Sequence, residues 1–177
     1  MSLVYQPAED SFLMESVVRK YSLGKSVLDM CTGSGILAKA ALESGAKSVT
    51  AVDINKEALD SIKEPNIKKI RSSLFQKVKG KFDLIICNPP YLPRDKEEDE
   101  ESQLATTAGD DGDEFILDFL DRVKRHMEKD GVLLLLVSSL TPIERINKKL
   151  EKENLKSKTV AKTSLFFETL EVLEIKE

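Results

Sequence analysis

The chain alternates apolar runs with amphipathic stretches along nearly its whole length, and its sharpest junction is Val27-Leu28-Asp29-Met30-Cys31-Thr32-Gly33-Ser34-Gly35. An apolar run that enters a glycine turn and leaves it as a helix points to a wound α/β sheet, because each strand then needs a helix to carry the chain back. The pattern predicts helices over 9–21, 35–43, 55–62, 113–127 and from Pro142 to about residue 153. It predicts strands over 26–30, 48–54, 67–71, 82–87 and 131–138. Phe12, Leu13, Val17 and Val18 would form the apolar face of the first helix. Asn55 would cap the third helix, and Pro65 would stop it. Thr141-Pro142-Ile143-Glu144 reads as a capping box with proline at the first helical position. Near the C-terminus, 156–163 and 166–175 are strand-like with only a short turn between them. No crossover helix fits there, so these two strands must pair antiparallel. The expected architecture is a Rossmann-like, seven-stranded, mostly parallel α/β sheet ending in an antiparallel hairpin.

With 177 residues, the chain is expected to form a single domain over 1–177. No run approaches the ~20 apolar residues of a membrane span, and the N-terminus lacks a basic-then-apolar signal pattern, so a cytoplasmic protein without a membrane partner is expected. Cys31 and Cys87 lack metal-ligand spacing and read as two small buried thiols in a reducing compartment. His126, the single histidine, falls near the polar end of a helix and reads as a surface residue. Histidine-based acid–base chemistry is therefore nearly excluded.

Glycine at 33 and 35 allows a tight turn and close approach of a ligand to the backbone, and the helix start beyond offers N–H groups to an anion. Asp53, at the tip of the second strand, can hold two ribose hydroxyls. Gly33-x-Gly35-x-x-Ala38 also satisfies the dinucleotide fingerprint, so the turn alone leaves a dehydrogenase open. Asp29 argues for S-adenosylmethionine, because a carboxylate there can balance an ammonium group and offers nothing to a pyrophosphate. Asn88-Pro89-Pro90-Tyr91 then decides against the dehydrogenase. It ends a central strand, where ligands bind in wound sheets. Two prolines stiffen it and leave only carbonyl acceptors. The Asn88 side chain adds a further acceptor. Such acceptors match the two hydrogens of a planar NH2 group, on which Tyr91 can stack, and holding both turns the nitrogen lone pair toward a methyl donor.

These residues resemble the HemK/PrmC-like N5-glutamine methyltransferases, and most closely the archaeal–eukaryotic branch that acts on class I release factors. The resemblance rests on Val4-Tyr5-Gln6-Pro7-Ala8-Glu9-Asp10-Ser11-Phe12-Leu13, on 27–35, Asp53 and 88–91, on Ala108-Gly109-Asp110-Asp111-Gly112, and on Phe167-Glu168-Thr169-Leu170. It implies N5-methylation of the glutamine in the Gly-Gly-Gln loop of a translation release factor. It implies that Ser11, Asp29, Cys31, Gly33, Gly35, Asp53, Ile54, Leu74 and Asn88 surround S-adenosylmethionine (product S-adenosylhomocysteine), with Asn88, Pro89 and Tyr91 holding the substrate. It also implies a small zinc-binding activator protein as heterodimer partner, docking at the short strand 67–71, although Lys68 and Lys69 equally suit plain edge protection. The chain departs from the family in three places. Cys31 stands where glycine is usual, which is tolerable only at an ordinary φ. Ser73-Leu74 replaces an acidic residue beside the adenine. Only 25 residues precede the first strand, which leaves no N-terminal helical substrate domain.

An Asn-Pro-Pro-Tyr site also serves N6-adenine methyltransferases on DNA or RNA. Net charge is −4, but between Arg94 and Glu114 ten acidic residues face two basic ones, a local −8. Directly after the tetrapeptide, that charge would oppose a polyphosphate and attract a basic protein loop. Nucleic acid is the runner-up substrate, and a cofactor-binding scaffold without catalysis is disfavoured by Asn88 and Asp53.

Overall fold

The computed structural model describes residues 4, 6–90 and 113–177. Its strands are β1 (Ser26–Met30), β2 (Ser48–Asp53), β3 (Ile67–Arg71), β4 (Phe82–Cys87), β5 (Met127–Ser138), β6 (Lys156–Ser164) and β7 (Thr169–Lys176). They form one seven-stranded sheet in the order β3-β2-β1-β4-β5-β7-β6. The first five strands run parallel, and β7 pairs antiparallel with both β5 and β6. This is the expected mixed α/β sheet with its terminal hairpin.

The helices are α1 (Glu9–Tyr21), α2 (Ile36–Glu43), α3 (Lys56–Ser61), α4 (Glu114–Val123) and α5 (Ile143–Lys152). Successive strand residues point to opposite faces, so the central strands are apolar on both. Leu28, Ile85, Leu133 and Leu135 pack with Ile116, Phe119 and Leu120 of α4 and with Ile146 and Leu150 of α5. Val27, Ile86, Leu134 and Leu136 pack on the other face with Met14, Val17 and Val18 of α1 and with Leu37, Ala38 and Ala41 of α2. No helix among the described residues is long and apolar enough to cross a membrane.

Four local expectations are corrected. The buried face of α1 is Asp10, Ser11, Met14, Val17 and Val18, a stripe of three- and four-residue steps that leaves Phe12 55% exposed. The helix expected to reach residue 127 ends at Val123, and a 3-10 turn, Lys124–His126, leads into a strand that begins at Met127 rather than 131. His126 is only half-exposed there, its ring stacked on Phe75 at 4.5 Å and its Nδ1 3.0 Å from the Gly80 carbonyl oxygen. The capping box at 141–144 does not form. The Thr141 backbone N–H closes a turn onto Ser138, and its buried hydroxyl has no partner among the described residues. By contrast, the Asn55 side chain caps α3 as expected, accepting from the Glu57 N–H at 2.9 Å.

Helix α1 is pinned to the far side of the sheet at its C-terminal end, where the Tyr21 hydroxyl donates to Glu174 Oε2 at 2.7 Å. Glu174 on β7 is buried and also meets Lys158 and Lys176 at 3.0 and 3.2 Å. Burial alone would raise its pKa. The hydrogen bonds from Tyr21, Lys158 and Lys176 outweigh burial and hold it down at about 2, while burial and the bond to Glu174 push the Tyr21 hydroxyl up to about 12. A carboxyl held below its unfolded value stabilises above the unfolded pKa and loses that contribution as pH falls through the folded one. Glu174→Ala is expected to lower unfolding free energy by about 1–2 kcal/mol at neutral pH. The gap to wild type should narrow as the pH drops below about 4, a trend measurable by urea denaturation at several pH values.

Candidate functional site

The carboxyl ends of β1, β2 and β4 meet at one edge of the sheet, and three chain turns leave from there. After β1 the backbone takes left-handed φ values at Cys31 (61°), Gly33 (52°) and Gly35 (79°). Two side chains clasp this turn. Asp29 Oδ2 accepts from the Thr32 hydroxyl at 2.6 Å and from the Ala38 N–H at 3.0 Å. Asp53, at the tip of β2, accepts the Gly33 N–H at 2.9 Å and the Asn55 N–H at 2.8 Å. A Cβ at Gly35 would sit 2.6 Å from Ile62 Cγ1, so this glycine is required both by its φ and by packing of α2.

Cys31 does not have the ordinary φ that its replacement of glycine demanded. It sits in the left-handed region, which costs a non-glycine residue about 1–2 kcal/mol. The clasp by Asp29 and Asp53 over-determines the turn and holds it there. Nor are the two thiols equivalent. Cys87 is fully buried and its thiol is pushed up by burial and by neighbouring Cys31, whereas Cys31 is half-buried on a cavity wall.

That cavity, about 840 Å³, opens at this edge of the sheet, a size ordinary for a small-molecule site. Its wall includes Ser11, Cys31, Gly33, Asp53, Ile54, Leu74, Asn88 and Pro89 of the residues singled out from the sequence. Leu74 is itself left-handed, at φ 45°, and Ser73 beside it is also on the wall. Asp29 and Gly35 stand behind the wall, supporting the turn. Tyr91 lies outside the described residues, as do 94–112 of the acidic stretch and the Ala108–Gly112 motif. Of the acidic residues that are described, Asp113 is fully buried and pairs with Arg145 at 3.1 Å, so it adds no free charge to the mouth.

Asp29 is completely buried and its Oδ1 has no partner among the described residues. Burial pushes its pKa up to about 7, against the lowering effect of its bonds to Thr32 and Ala38. Its spare oxygen is thus a buried acceptor behind the cavity wall. Asp53 keeps lone pairs beyond the two it gives to N–H groups, and these can accept hydroxyls.

One residue was missed. Asp10, in the first turn of α1, is 3% exposed and its Oδ2 accepts from Asn88 Nδ2 at 2.8 Å. The Ser11 hydroxyl donates to its other oxygen at 3.3 Å. A carboxylate only accepts, so the nitrogen of the Asn88 amide must face Asp10. That leaves Asn88 Oδ1 buried and without a partner among the described residues, on a residue of the cavity wall. From the sequence alone, Glu9-Asp10 looks like the usual acidic start of a helix. The signal that could have found Asp10 is its place on the same stripe as Met14, Val17 and Val18.

The family model for the methyltransferase small domain matches residues 9–168. A Methanocaldococcus jannaschii protein provisionally named as a protein N5-glutamine methyltransferase is 37% identical over 178 residues, covering 96% of this chain and 90% of the relative. The release factor glutamine methyltransferase of Streptococcus pneumoniae is 33% identical over 124 residues, covering 62% of this chain and 44% of the relative. The chain thus matches less than half the length of that bacterial protein. Among solved structures, a chain of the E. cuniculi Mtq2–Trm112 complex, which is responsible for methylation of the eRF1 translation termination factor, has the same fold. The TM-score is 0.81 at 24% identity, with 99% of both chains covered.

The buried carboxyl of Asp29 gives a stability signature. Folded, it keeps its proton to about pH 7; unfolded, it loses it near 3.8. Between those values the unfolded state binds fewer protons, so rising pH favours unfolding. Asp29→Asn should therefore gain stability relative to wild type as pH rises from about 4 to 7 and level off above. A difference that stays flat across that window in denaturant titrations would show that Asp29 ionises normally.

Proposed function

Since the chain belongs to the methyltransferase small domain family, we propose that it transfers a methyl group from S-adenosylmethionine to the side-chain nitrogen of a protein glutamine, that of the Gly-Gly-Gln loop of a class I release factor. The observation that carries this reading is the acceptor end of Asn88, a cavity-wall residue, left unpartnered among the described residues while its amide nitrogen bonds to Asp10. Such an acceptor fits an NH2 donor.

S-adenosylmethionine, when bound, supplies an electrophilic methyl group on a sulfonium. The residues present fit it. Asp29 offers a spare buried oxygen for the amino group, and Asp53 on the wall offers lone pairs for the ribose hydroxyls. Ile54 and Leu74 give apolar wall for the adenine. Ser73 has no carboxylate with which to accept from the adenine amino group, so a hydrogen bond there would be weaker.

On the substrate side, an amide nitrogen is a poor nucleophile because its lone pair is delocalised. Asn88 Oδ1 accepts one of its hydrogens, and a carbonyl of the proline-stiffened 88–90 segment accepts the other. Proline at 89 and 90 provides no competing donors. Both acceptors draw electron density onto the nitrogen, and the pair fixes the face it presents to the methyl group. Asn88 is neutral, so it orients the protons and does not remove them. Forming the nitrogen–methyl bond would break the methyl–sulfur bond to leave S-adenosylhomocysteine, and the nitrogen would shed one proton to water. Tyr91 completes the cradle by stacking on the planar amide.

A protein substrate is favoured over the adenine of a nucleic acid by the run of carboxylates that follows Asn88–Tyr91 in sequence. Polyphosphate would be repelled from such a neighbourhood. The relatives named for glutamine methylation point the same way. A small zinc-binding activator is the proposed partner, supported by the fold shared with a chain of the Mtq2–Trm112 complex. Strand β3, at the edge of the sheet with Lys68 and Lys69 exposed, is its proposed docking edge. The cytoplasm, where translation terminates, is the proposed location.

Incubating the release factor with S-adenosylmethionine, this protein and the activator should add one methyl to the Gly-Gly-Gln glutamine, read by peptide mass mapping. Asn88→Ala should abolish transfer yet leave S-adenosylhomocysteine binding within about twofold, whereas Asp53→Ala should weaken that binding by about tenfold or more. An unmethylated factor alongside intact cofactor binding would overturn the substrate.

A further inference from the structure

The two most exposed large apolar side chains among the described residues are neighbours. Phe166 and Phe167, in the turn between β6 and β7, are 91% and 86% exposed. Their rings meet edge to face at 4.7 Å. This turn is firmly held. The Leu165 N–H donates to the Glu168 carbonyl at 2.7 Å, and Leu165 packs against the core on the α1 side of the sheet. Ser138, the last residue of β5, donates its hydroxyl to Glu168 Oε2 at 2.5 Å. Ser139 and Thr169 exchange two more bonds, at 2.8 and 2.9 Å. A loop with no role would gain nothing from presenting two aromatic rings to water on so rigid a mount.

The location of the turn suggests what covers it. The end of β5 is the sheet edge where Asn88 emerges from β4, since Cys87 is in register with Leu135 and Ser138 with Leu170. Two strand spacings sideways and four to five residues further along put the tip roughly 15–20 Å from Asn88, about five or six residues of extended chain. A small molecule held at Asn88 cannot span that distance, but a macromolecular substrate can. Leu140, 48% exposed, follows Ser139, which bonds to Thr169 at the base of the turn. Residues 163–170 contain one charge, that of Glu168, and no Lys or Arg. A phosphodiester chain would find no counter-charge there.

We propose that Phe166 and Phe167, with Leu140 beside them, form a docking surface for the polypeptide substrate, taking an apolar side chain of the protein that carries the target glutamine. This deepens the proposed function and rests on it. Two preorganised aromatics at the rim suit the anchor role that a few side chains play in protein recognition.

The test uses the full chain, with activator, on the intact release factor, comparing wild type with Phe166→Ser/Phe167→Ser. The double variant should raise KM by about tenfold or more. Its kcat, its affinity for S-adenosylhomocysteine and its Tm should stay at wild-type values, because neither ring contributes to the core. Leu140→Ser should raise KM in the same direction by a smaller factor. If the variants match wild type in KM, the docking surface is wrong. If they lose binding to an RNA or DNA oligonucleotide and keep KM for the factor, the surface serves nucleic acid and the proposal falls. A wild-type enzyme that leaves the factor unmethylated sinks the functional reading itself, an outcome distinct from either.

Discussion

An amide has a donor end and an acceptor end, and nothing in strand β4 decides which one Asn88 turns toward the cavity. The decision comes from 78 positions away, through the 2.8 Å hydrogen bond to Asp10. A hydrogen bond to a charged group is worth about 1.5–3 kcal/mol net, enough to hold one orientation of the amide almost exclusively. Asp10 owes its position to α1, whose buried stripe seats it against the sheet at one end. Tyr21 bonds to Glu174 on β7 at the other. Helix α1 is thus a strut. It converts packing on the outer strands into orientation of the Asn88 amide just beyond β4.

A second constraint acts on the cofactor side. Of the three left-handed residues in the 31–35 turn, the two glycines adopt that conformation freely, whereas Cys31 is strained by it. Two carboxylates hold the turn by different means. Asp53 uses both oxygens on backbone N–H groups, while Asp29 spends one on the turn and keeps the other back. The same groups that stabilise the turn therefore provide the chemistry expected of the site, so an unliganded protein carries a buried, partly satisfied carboxyl. A ligand with an amino group relieves that burden.

Much of this was legible in the sequence. Apolar runs joined by amphipathic stretches specify parallel strands, because only crossover helices can link them. The short turn between 156–163 and 166–175 leaves only an antiparallel pairing for the last two strands. Asp53, Asn88 and the glycine turn were legible because their residue types are tied to backbone conformation or to strand ends. The failures have equally physical causes. A non-glycine residue gives no sign of a positive φ, so Cys31 could not be read. Asp10 resembles any acidic helix start until the strand it touches is known. Thr141-Pro142-Ile143-Glu144 has the composition of a capping box, but the turn from Ser138 takes the Thr141 N–H first. Asp113 counted as acidic-stretch charge until its pairing with Arg145 was seen.

In the proposed reaction an oriented Asn88 amide, rather than an acid–base pair, promotes transfer. Single-turnover methylation by Asp10→Ala and Asp10→Asn, with cofactor affinity measured alongside, tests it most directly. Asparagine at 10 can still accept from Asn88 Nδ2, whereas alanine leaves the amide free to flip. The account predicts that Asp10→Ala slows the transfer step by about 100-fold at unchanged cofactor affinity, and that Asp10→Asn restores most of it. Equal rates in wild type and Asp10→Ala would contradict the account. So would a loss in Asp10→Ala that tracks cofactor affinity.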